Sequence, residues 1–341
     1  MTAMSTPTPP GLDLDRLRAH LGTGPLTATL ISGGKSNLTY RLTDGNHRWV
    51  LRRPPLGHVL ATAHDMVREH TVIAALATTP VPVPRVHLLC EDTEVVGAPF
   101  YLMDEVPGTV YRTADDAAGL GAERARALSF RLIDVLADLH AVEPAAAGLA
   151  EFGRPDGYME RQVSRWHRQF EASRSRDIPG MEELQQRLSK GVPAPQRATV
   201  VHGDYRLDNT IAADDDSIAA VLDWEMATLG DPLADVGLMK VYWDIAGNMP
   251  GNPVAGAVSP ALGFPAMDEL VERYSATTGL DLTPLPWYTA FAQYKLAVIA
   301  EGIHYRFSQG KTVGDGFAHL GAMVPPLVAL ALDTMNGKAG D

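Results

Sequence analysis

Short runs rich in Leu, Thr, Tyr, Trp and Val alternate with polar tight-turn signals in the first part of the chain. The stretch TATLISGGKSNLTYRLTDGNHRWVLRRPP, residues 27–55, predicts three strands separated by turns at Gly33-Gly34 and Asp44-Gly45. Glycine at these turns tolerates the positive φ that a close reversal requires. Apolar runs at residues 86–90 and 99–106 predict a second hairpin. Together these segments predict an antiparallel sheet of about five strands.

Helical spacing marks two other segments of this region and most of the chain beyond it. Residues 12–21 predict a short helix, and residues 64–78 predict a longer one that the sequence VPVPRV ends. The helically spaced apolar positions of the longer segment are Met66, Val67, Ile73, Ala74 and Leu76. After residue 106 long helical patterns dominate, beginning with residues 122–142 and 157–174. Residues 198–224 are the one strand-like interruption predicted in this second half.

This order of elements predicts an α+β fold with two lobes. A chain of 341 residues exceeds what one hydrophobic core usually organises. We expect an N-lobe over residues 1–105, built from an antiparallel sheet with a helix, and a mainly helical C-lobe over residues 106–341. The pair Pro107-Gly108 is the predicted hinge between them.

Composition narrows the class of protein. Hydrophobic residues make up 45% of the chain and charged residues 21%, which is typical of a folded globular protein. The formal charge of -12 disfavours nucleic acid or an anionic membrane as the main partner. Cys90 is the only cysteine, so no intrachain disulfide is expected, and no Cys/His spacing indicates a zinc site. Without a signal-peptide pattern or an apolar run of about 18 residues, we expect a cytoplasmic protein.

The motif VVHGDYRLDNTI places several polar and charged residues directly beside apolar strand-like positions. Downstream, TIAA and SIAAVL flank the turn-like DDDS and predict a hairpin. Residues just outside the open end of a hairpin lie opposite each other, with side chains about 5 Å apart. Those residues are Asn209 and Asp223. An amide oxygen beside a carboxylate suits a hard cation such as Mg²⁺, which keeps coordination places for phosphate oxygens and water.

Asp204 lies five residues before Asn209, on the loop that leads into this hairpin. At that distance it can approach the same metal without binding it, which is where a catalytic base would stand. In phosphoryl transfer such an aspartate orients the acceptor hydroxyl and takes its proton. The spacing equals that of the protein-kinase catalytic loop, D-x-x-x-x-N.

The blocks HGDYRLDN and LDWEMATLGDPLAD resemble the two signatures of the aminoglycoside phosphotransferase and choline kinase group of small-molecule kinases. The resemblance extends in order over nearly the whole chain. It implies a protein-kinase-like fold that binds ATP or GTP between its lobes, with Asp204 as catalytic base and Mg²⁺ on Asn209 and Asp223. It also implies that His202 and Asp235 support the catalytic loop.

The stretches GGKSNLTYRL and WVLRRPP, with the two signatures, are similar to a subgroup that is fused to acyl-CoA dehydrogenases in animals and stands alone in bacteria. The fused proteins are linked to phosphorylation of hydroxyacyl-CoA, which makes a hydroxylated acyl compound one candidate acceptor. An aminoglycoside or macrolide resistance kinase differs only in its acceptor. A nucleotide-binding pseudokinase is a further alternative, but the presence of Asp204, Asn209 and Asp223 argues against it.

Protein kinases carry a strand lysine that pairs with a helix glutamate, whereas the matching strand here offers Arg52, with Glu69 as its natural partner. A surface ion pair worth about 0–1 kcal/mol is the alternative explanation for these two residues. The Gly33-Gly34 turn would cover the nucleotide phosphates. Met103 and Glu105, just before the hinge, complete the predicted nucleotide contacts.

Other polar residues receive weaker assignments. His140 lies on an apolar helix face and is expected to be a hydrogen-bonded structural residue rather than a ligand. The arginines of residues 160–176 form either a solvated helix face or a site for an anionic group. The acceptor pocket is expected among the C-lobe helices, where residues 287–307 combine aromatic and polar positions that core packing explains equally well. Nothing in the sequence selects an oligomeric state.

Overall fold

The computed structural model describes residues 9–31, 37–57, 65–248, 256–310 and 320–337. The predicted Gly33-Gly34 turn lies outside the described residues.

The N-terminal part of the chain forms the predicted five-stranded antiparallel sheet. Its strands are β1 (Thr27–Leu30), β2 (Leu38–Thr43), β3 (Arg48–Arg53), β4 (Val86–Cys90) and β5 (Phe100–Asp104). Their order across the sheet is β1-β2-β3-β5-β4, and every neighbouring pair is antiparallel. At the predicted turn between β2 and β3, Gly45 has φ +93°, and Asp44 Oδ1 accepts hydrogen bonds from the backbone amides of Asn46 and His47. The sheet prediction is therefore confirmed.

Helices cover both faces of this sheet. They are α1 (Leu14–Leu21), α2 (Met66–Leu76) and the short α3 (Thr93–Val96), and the first two were predicted. Strand side chains alternate between faces, so Leu51 packs in the cluster with α1 while Val50 packs in the cluster with α2. The same alternation sends Arg52 to the α2 face and Arg53 to the other, where Arg53 donates to the Val96 carbonyl.

The rest of the chain is mainly helical. Its helices are α4 (Ala114–Ala117), α5 (Ala122–Ala141), α6 (Tyr158–Ser173), α7 (Met181–Lys190), α8 (Leu233–Asn248), α9 (Met267–Thr278), α10 (Leu285–Ser308) and α11 (Leu320–Met335). The central α10 packs against α6, α8 and α11, and it is buried over most of its circumference for that reason. No described helix combines the length and apolarity needed to cross a membrane.

Two two-stranded antiparallel sheets flank the polar motif in the mainly helical part of the chain. Strand β7 (Thr210–Ala212) pairs with β8 (Ile218–Val221), and β6 (Thr199–Val201) pairs with β9 (Thr228–Gly230). The hairpin prediction is confirmed. The expectation that strand structure ends at residue 224 was wrong, because β9 lies beyond it. A strand of three residues is too short to show alternation in the sequence.

The segment that joins the lobes is bonded to the β7–β8 hairpin. Thr109 and Ala212 exchange backbone hydrogen bonds of 2.8 Å in both directions. Gly108 has φ +139°, and a Cβ added there would lie 2.4 Å from the Ala212 carbonyl oxygen. Only glycine fits this close approach, so the predicted hinge position packs directly against the β7–β8 hairpin.

Candidate active site

A cleft of about 1010 Å³ lies between the sheet and the helical lobe. Most of the residues that the sequence singled out line it together: Arg52, Met103, Glu105, Asp204, Asn209 and Asp223. Ligand sites of enzymes are commonly clefts of this size between structural units.

Hydrogen bonds fix the carboxylate of Asp204 at the wall of the cleft. Tyr242 donates its hydroxyl to Asp204 Oδ1 at 2.8 Å. Asp204 Oδ2 accepts from Arg206 Nε at 3.2 Å and from Asn209 Nδ2 at 3.0 Å. The side chain keeps 24% of its surface exposed. A carboxylate that is oriented and still reachable has the geometry of a general base.

Asp235 binds the backbone at the start of the loop that carries Asp204. Its carboxylate accepts from the backbone amides of His202 at 2.6 Å and Gly203 at 2.8 Å. His140 Nε2 lies 3.3 Å from the same carboxylate, and His140 Nδ1 lies 2.7 Å from the Tyr274 hydroxyl. Burial opposes the charge of Asp235, but the hydrogen bond and charge of His140 outweigh it, and the pKa of Asp235 is lowered. His140 is therefore a buried structural residue in contact with Asp235.

His202 joins the loop of Asp204 to the strand that leads to Asp223. Its Nδ1 accepts from the Asp204 backbone amide at 3.2 Å, so the proton of the neutral ring is on Nε2. Nε2 then donates to the Leu222 carbonyl at 2.8 Å. The ring packs 4.7 Å from Trp224. One imidazole thus fixes the spacing between the two polar segments of the site.

Asp223 adopts the left-handed conformation, with φ 64° and ψ 59°. Non-glycine residues seldom adopt it, and such residues concentrate at functional sites. The expectation that Asn209 lies directly opposite Asp223 was wrong by one residue, because the Leu222 amide donates to the Asn209 carbonyl at 2.8 Å. The hairpin turn and a bulge in β8 set this register. Both side chains nevertheless line the same cleft.

Arg52 lies between two carboxylates from different lobes. Its Nε is 2.8 Å from Glu69 Oε2, and its Nη2 contacts Asp223 Oδ1. The side chains of Arg52 and Glu69 are only 12% and 1% exposed, so the surface-pair alternative is excluded. Glu69 also accepts from Asn37 Nδ2 at 2.8 Å and from the Tyr101 hydroxyl at 3.0 Å.

Negative charge exceeds positive charge around Arg52, where Glu69, Asp223 and Glu225 act on one another. Burial raises the pKa of Glu69 to about 7, Arg52 opposes the rise, and Asp223 and Glu225 add to it. Burial also acts against the charge of Arg52, but Glu69, Tyr101 and Asp223 outweigh that effect, and the pKa of Arg52 is raised. An added cation at Asp223 would therefore be favoured electrostatically.

The donor set fits Mg²⁺ bound together with a nucleotide. Among the described residues no group of three His, Cys, Asp or Glu side chains is arranged to hold a metal. Mg²⁺, however, commonly takes one or two protein ligands and completes its octahedron with phosphate oxygens and water. Asp223 offers a carboxylate and Asn209 an amide oxygen in one cleft, beside surplus negative charge.

Met103 and Glu105 lie where the sheet runs into the joining segment. Met103 pairs with Val50 across β3 and β5, and it is 7% exposed at the cleft wall. The Glu105 carboxylate accepts from Arg41 Nε, and the Glu105 backbone amide donates to the Arg48 carbonyl at 3.4 Å. Their predicted contact with the nucleotide remains a prediction.

Comparison with known proteins identifies the family. The model of the phosphotransferase enzyme family, APH, matches residues 27–270, which is most of the chain. The chain belongs to the phosphotransferase enzyme family. Acyl-CoA dehydrogenase family member 10 of Mus musculus is 36% identical over 93% of this phosphotransferase, and member 11 of Gallus gallus is 34% identical over 91%. The phosphotransferase spans only 30% and 40% of those two proteins. The predicted likeness to this subgroup is confirmed.

Solved structures of phosphotransferases share the kinase-like fold. A protein of Ralstonia eutropha assigned to the aminoglycoside phosphotransferases has a TM-score of 0.82 and 32% identity, covering 95% of this chain and 98% of its own. A thermostable mutant of aminoglycoside phosphotransferase APH(4)-Ia, bound to ADP and hygromycin B, has a TM-score of 0.63 at 15% identity, covering 96% and 99%. The GDP and kanamycin complex of APH(2")-IIIa has a TM-score of 0.59 at 14% identity, covering 91% and 93%. The last two establish the fold alone.

Several residues of the phosphotransferase site were not predicted. Arg206 stands inside the quoted motif, where its position between Asp204 and Asp208 was a signal that could have been used. Tyr242 and Lys295 reach the loop from α8 and α10, and no local pattern marks them. Asn37, which bonds Glu69 and also Glu225 Oε2 at 3.1 Å, lies in a strand-like segment that gives no hint of it.

Proposed function

We propose that this protein transfers the γ-phosphoryl group of ATP or GTP to a hydroxyl group of a small molecule, with Asp204 as the base. The observation that carries the proposal is the shared cleft of Asp204, Asn209, Asp223 and Arg52. Phosphoryl transfer requires little covalent chemistry from the protein and depends on positioning and on charge, which these residues supply.

Asp204 orients the acceptor hydroxyl and takes its proton as the new O–P bond forms and the bond to the departing nucleoside diphosphate breaks. Mg²⁺, when held by Asn209 and Asp223, would neutralise charge on the phosphates. Arg206 supplies a second positive charge, since its guanidinium lines the cleft between Asp204 and Asp208. His202 and Asp235 keep the loop in place through backbone contacts.

The nucleotide is assigned to the sheet side of the cleft. Arg52 takes the place of the kinase lysine, and Glu69 holds it there in a buried ion pair. Met103 and Glu105 would contact the nucleotide near the joining segment, and the Gly33-Gly34 turn would cover its phosphates. On this assignment the N-lobe ends at residue 105 and the C-lobe occupies residues 106–341. ADP and GDP complexes of proteins with the same fold support both donor nucleotides as candidates.

A hydroxylated acyl compound, such as a hydroxyacyl-CoA, is the acceptor that the relatives support best. Two of these relatives carry the name of acyl-CoA dehydrogenases, whose substrates are acyl thioesters. An aminoglycoside is the second candidate, because solved proteins of this fold bind hygromycin B and kanamycin. The complete set of Asp204, Asn209 and Asp223 around one cleft argues against a pseudokinase.

Release of ADP from Mg²⁺-ATP in the presence of hydroxylated metabolites, hydroxyacyl-CoA thioesters, aminoglycosides and macrolides tests this proposal. Asp204→Ala should lower turnover about 10²- to 10⁴-fold, since it removes the general base. Asp214→Ala is the matched control, because this aspartate is exposed on the β7–β8 turn. Unchanged turnover in Asp204→Ala would remove the proposed base, and no phosphorylated product with any acceptor would contradict the proposed activity.

A further inference from the structure

Lys295 of α10 reaches the catalytic loop from the helical lobe. Its Nζ donates to the carbonyl of Gly203, the residue directly before Asp204, at 3.3 Å. The same ammonium lies 5.7 Å from the centre of the Trp166 ring on α6. Lys295 is largely buried, so its charge is partly removed from water. Its contacts at the loop are therefore a neutral carbonyl and an aromatic face.

The charge of Lys295 has no carboxylate partner in the described part of the chain, where no carboxylate oxygen lies within 4 Å of it. Asp204 and Asp235 are the carboxylates that act on it electrostatically. Both are already engaged: Asp204 accepts from Tyr242, Arg206 and Asn209, and Asp235 accepts from two backbone amides and His140.

An ammonium removed from water without an ion pair is costly. Burial lowers the pKa of Lys295, Asp204 and Asp235 oppose that effect, and Arg165 on α6 adds a like charge that lowers the pKa further. The exposed side chain of Arg165 makes Lys295 part of a small positive region next to the base. One N–H of the Lys295 ammonium donates to the Gly203 carbonyl, and the other two N–H groups are available to a further acceptor.

Lys295 does not belong to the wall of the nucleotide cleft. Neither it nor Trp166 lines that cleft, whereas Asp204 does. Its contact with the Gly203 carbonyl places Lys295 one residue from Asp204 along the loop, on the side of α6 and α10, whereas the nucleotide is assigned to the sheet side. A cationic acceptor would be repelled there by Lys295 and Arg165, and an anionic one would be attracted.

We propose that Lys295 binds an anionic oxygen group of the acceptor, a carboxylate or a phosphate, so that the acceptor is an acidic hydroxyl compound rather than a polycationic sugar. This inference rests on the proposed function, because it places the group relative to Asp204 as base. Lys295 is a residue that determines specificity, and it takes no part in the transfer of the proton.

Binding of defined probes to the full chain, saturated with Mg²⁺ and ADP, tests the inference without any turnover. The probes are 4-hydroxybutyrate for a carboxylate, coenzyme A for phosphates, 1,4-butanediol as the neutral match of the hydroxy acid, and kanamycin as a polycation. Calorimetry and ligand-observed NMR give the affinities. Lys295→Met, Lys295→Arg and the control Lys190→Met are compared, since Lys190 is an exposed lysine at the end of α7.

We expect an anionic probe to bind the unmodified protein and to lose about 10-fold or more in affinity in Lys295→Met. Lys295→Arg, which keeps the charge, should retain most of the affinity, and Lys190→Met should match the unmodified protein. Which probe responds decides between a carboxylate and a phosphate. The inference would be overturned if neither anionic probe bound, or if an anionic probe bound Lys295→Met as tightly as the unmodified protein. It would also be overturned if kanamycin bound more tightly than the anionic probes.

The result separates this inference from the proposed function. Loss of anion binding in Lys295→Met, with no phosphorylated product from any acceptor, would leave the anion site standing and refute the transferase. Product formation from acidic acceptors with the same KM in Lys295→Met would refute the anion site and leave the transferase standing.

Discussion

Replacing Arg52 with methionine removes the only positive charge that contacts the buried Glu69 carboxylate within the described residues. Glu69 is 1% exposed, and Asp223 and Glu225 act on it with the same sign of charge. Breaking a buried ion pair by removing one partner costs about 3–5 kcal/mol. We expect Arg52→Met to lower the free energy of unfolding by about that amount at pH 8, where Glu69 is ionised.

The stability lost in Arg52→Met should be larger at pH 8 than at pH 5. The folded-state pKa of Glu69 is about 7, against an ordinary value of 4.5. A carboxylate whose folded pKa is raised contributes most to stability below pH 4.5, and this contribution falls as the pH rises through 7. At pH 5 Glu69 already carries a proton, so removing Arg52 costs less there. What remains at pH 5 is the loss of the Arg52 contact with Asp223.

Urea unfolding followed by tryptophan fluorescence at pH 5 and pH 8 measures both values. Arg53→Met is the matched control, since Arg53 lies next in the same strand, is also largely removed from solvent and donates to carbonyls of Gly11 and Val96 instead of carboxylates. Its cost should be the same at both pH values. In the double variant with Glu69→Gln, we expect about 1–3 kcal/mol of coupling with Arg52 at pH 8. An equal loss at the two pH values, with no coupling, would refute the reasoning.

Two further predictions concern the backbone of the site. Asp235→Asn should lower the free energy of unfolding by about 3 kcal/mol at pH 7. The lowered pKa of Asp235 gives stability that is present above pH 3.8 and is lost as the pH falls through its folded pKa. Acid titration of both proteins should therefore show the difference in stability shrinking below pH 3.8. Gly108→Ala should cost more than about 2 kcal/mol by thermal or urea unfolding, because the new Cβ meets the Ala212 carbonyl, whereas Gly45→Ala meets open space and should cost only about 1 kcal/mol of backbone strain. Equal costs for the two glycine variants would contradict the close approach.

The placement of the motif's side chains in one cleft could be predicted because the motif is local. Asp204 and Asn209 lie within one loop, and the hairpin that follows brings Asp223 back to them, so spacing and turn chemistry were sufficient. Strand alternation likewise separates Arg52 from its neighbour Arg53, which faces the other side of the sheet. The exact pairing of Asn209 was missed, since a bulge leaves no unambiguous mark in a strand as short as β8.

What could not be predicted depends on contacts between distant segments. Tyr242 and Lys295 lie on helices whose sequence is explained by core packing. Only the tertiary fold brings the Tyr242 hydroxyl to the Asp204 carboxylate and the Lys295 ammonium to the Gly203 carbonyl. The burial of Glu69 also needed the fold, since the same residue on an exposed helix face would form only a weak surface pair. Long-range placement of single polar side chains has no periodic signal in the sequence.

The separate roles of Asp204 and Asp223 are tested most directly by the affinity for a non-hydrolysable ATP analogue, measured by calorimetry with and without Mg²⁺ in the unmodified protein, Asp204→Ala and Asp223→Ala. Asp204→Ala should keep the affinity and its enhancement by Mg²⁺, because in the proposed mechanism this carboxylate binds the acceptor hydroxyl and not the metal. Asp223→Ala should lose the enhancement by Mg²⁺. An undiminished Mg²⁺ enhancement in Asp223→Ala, or its loss in Asp204→Ala, would contradict the assignment of metal ligand and base.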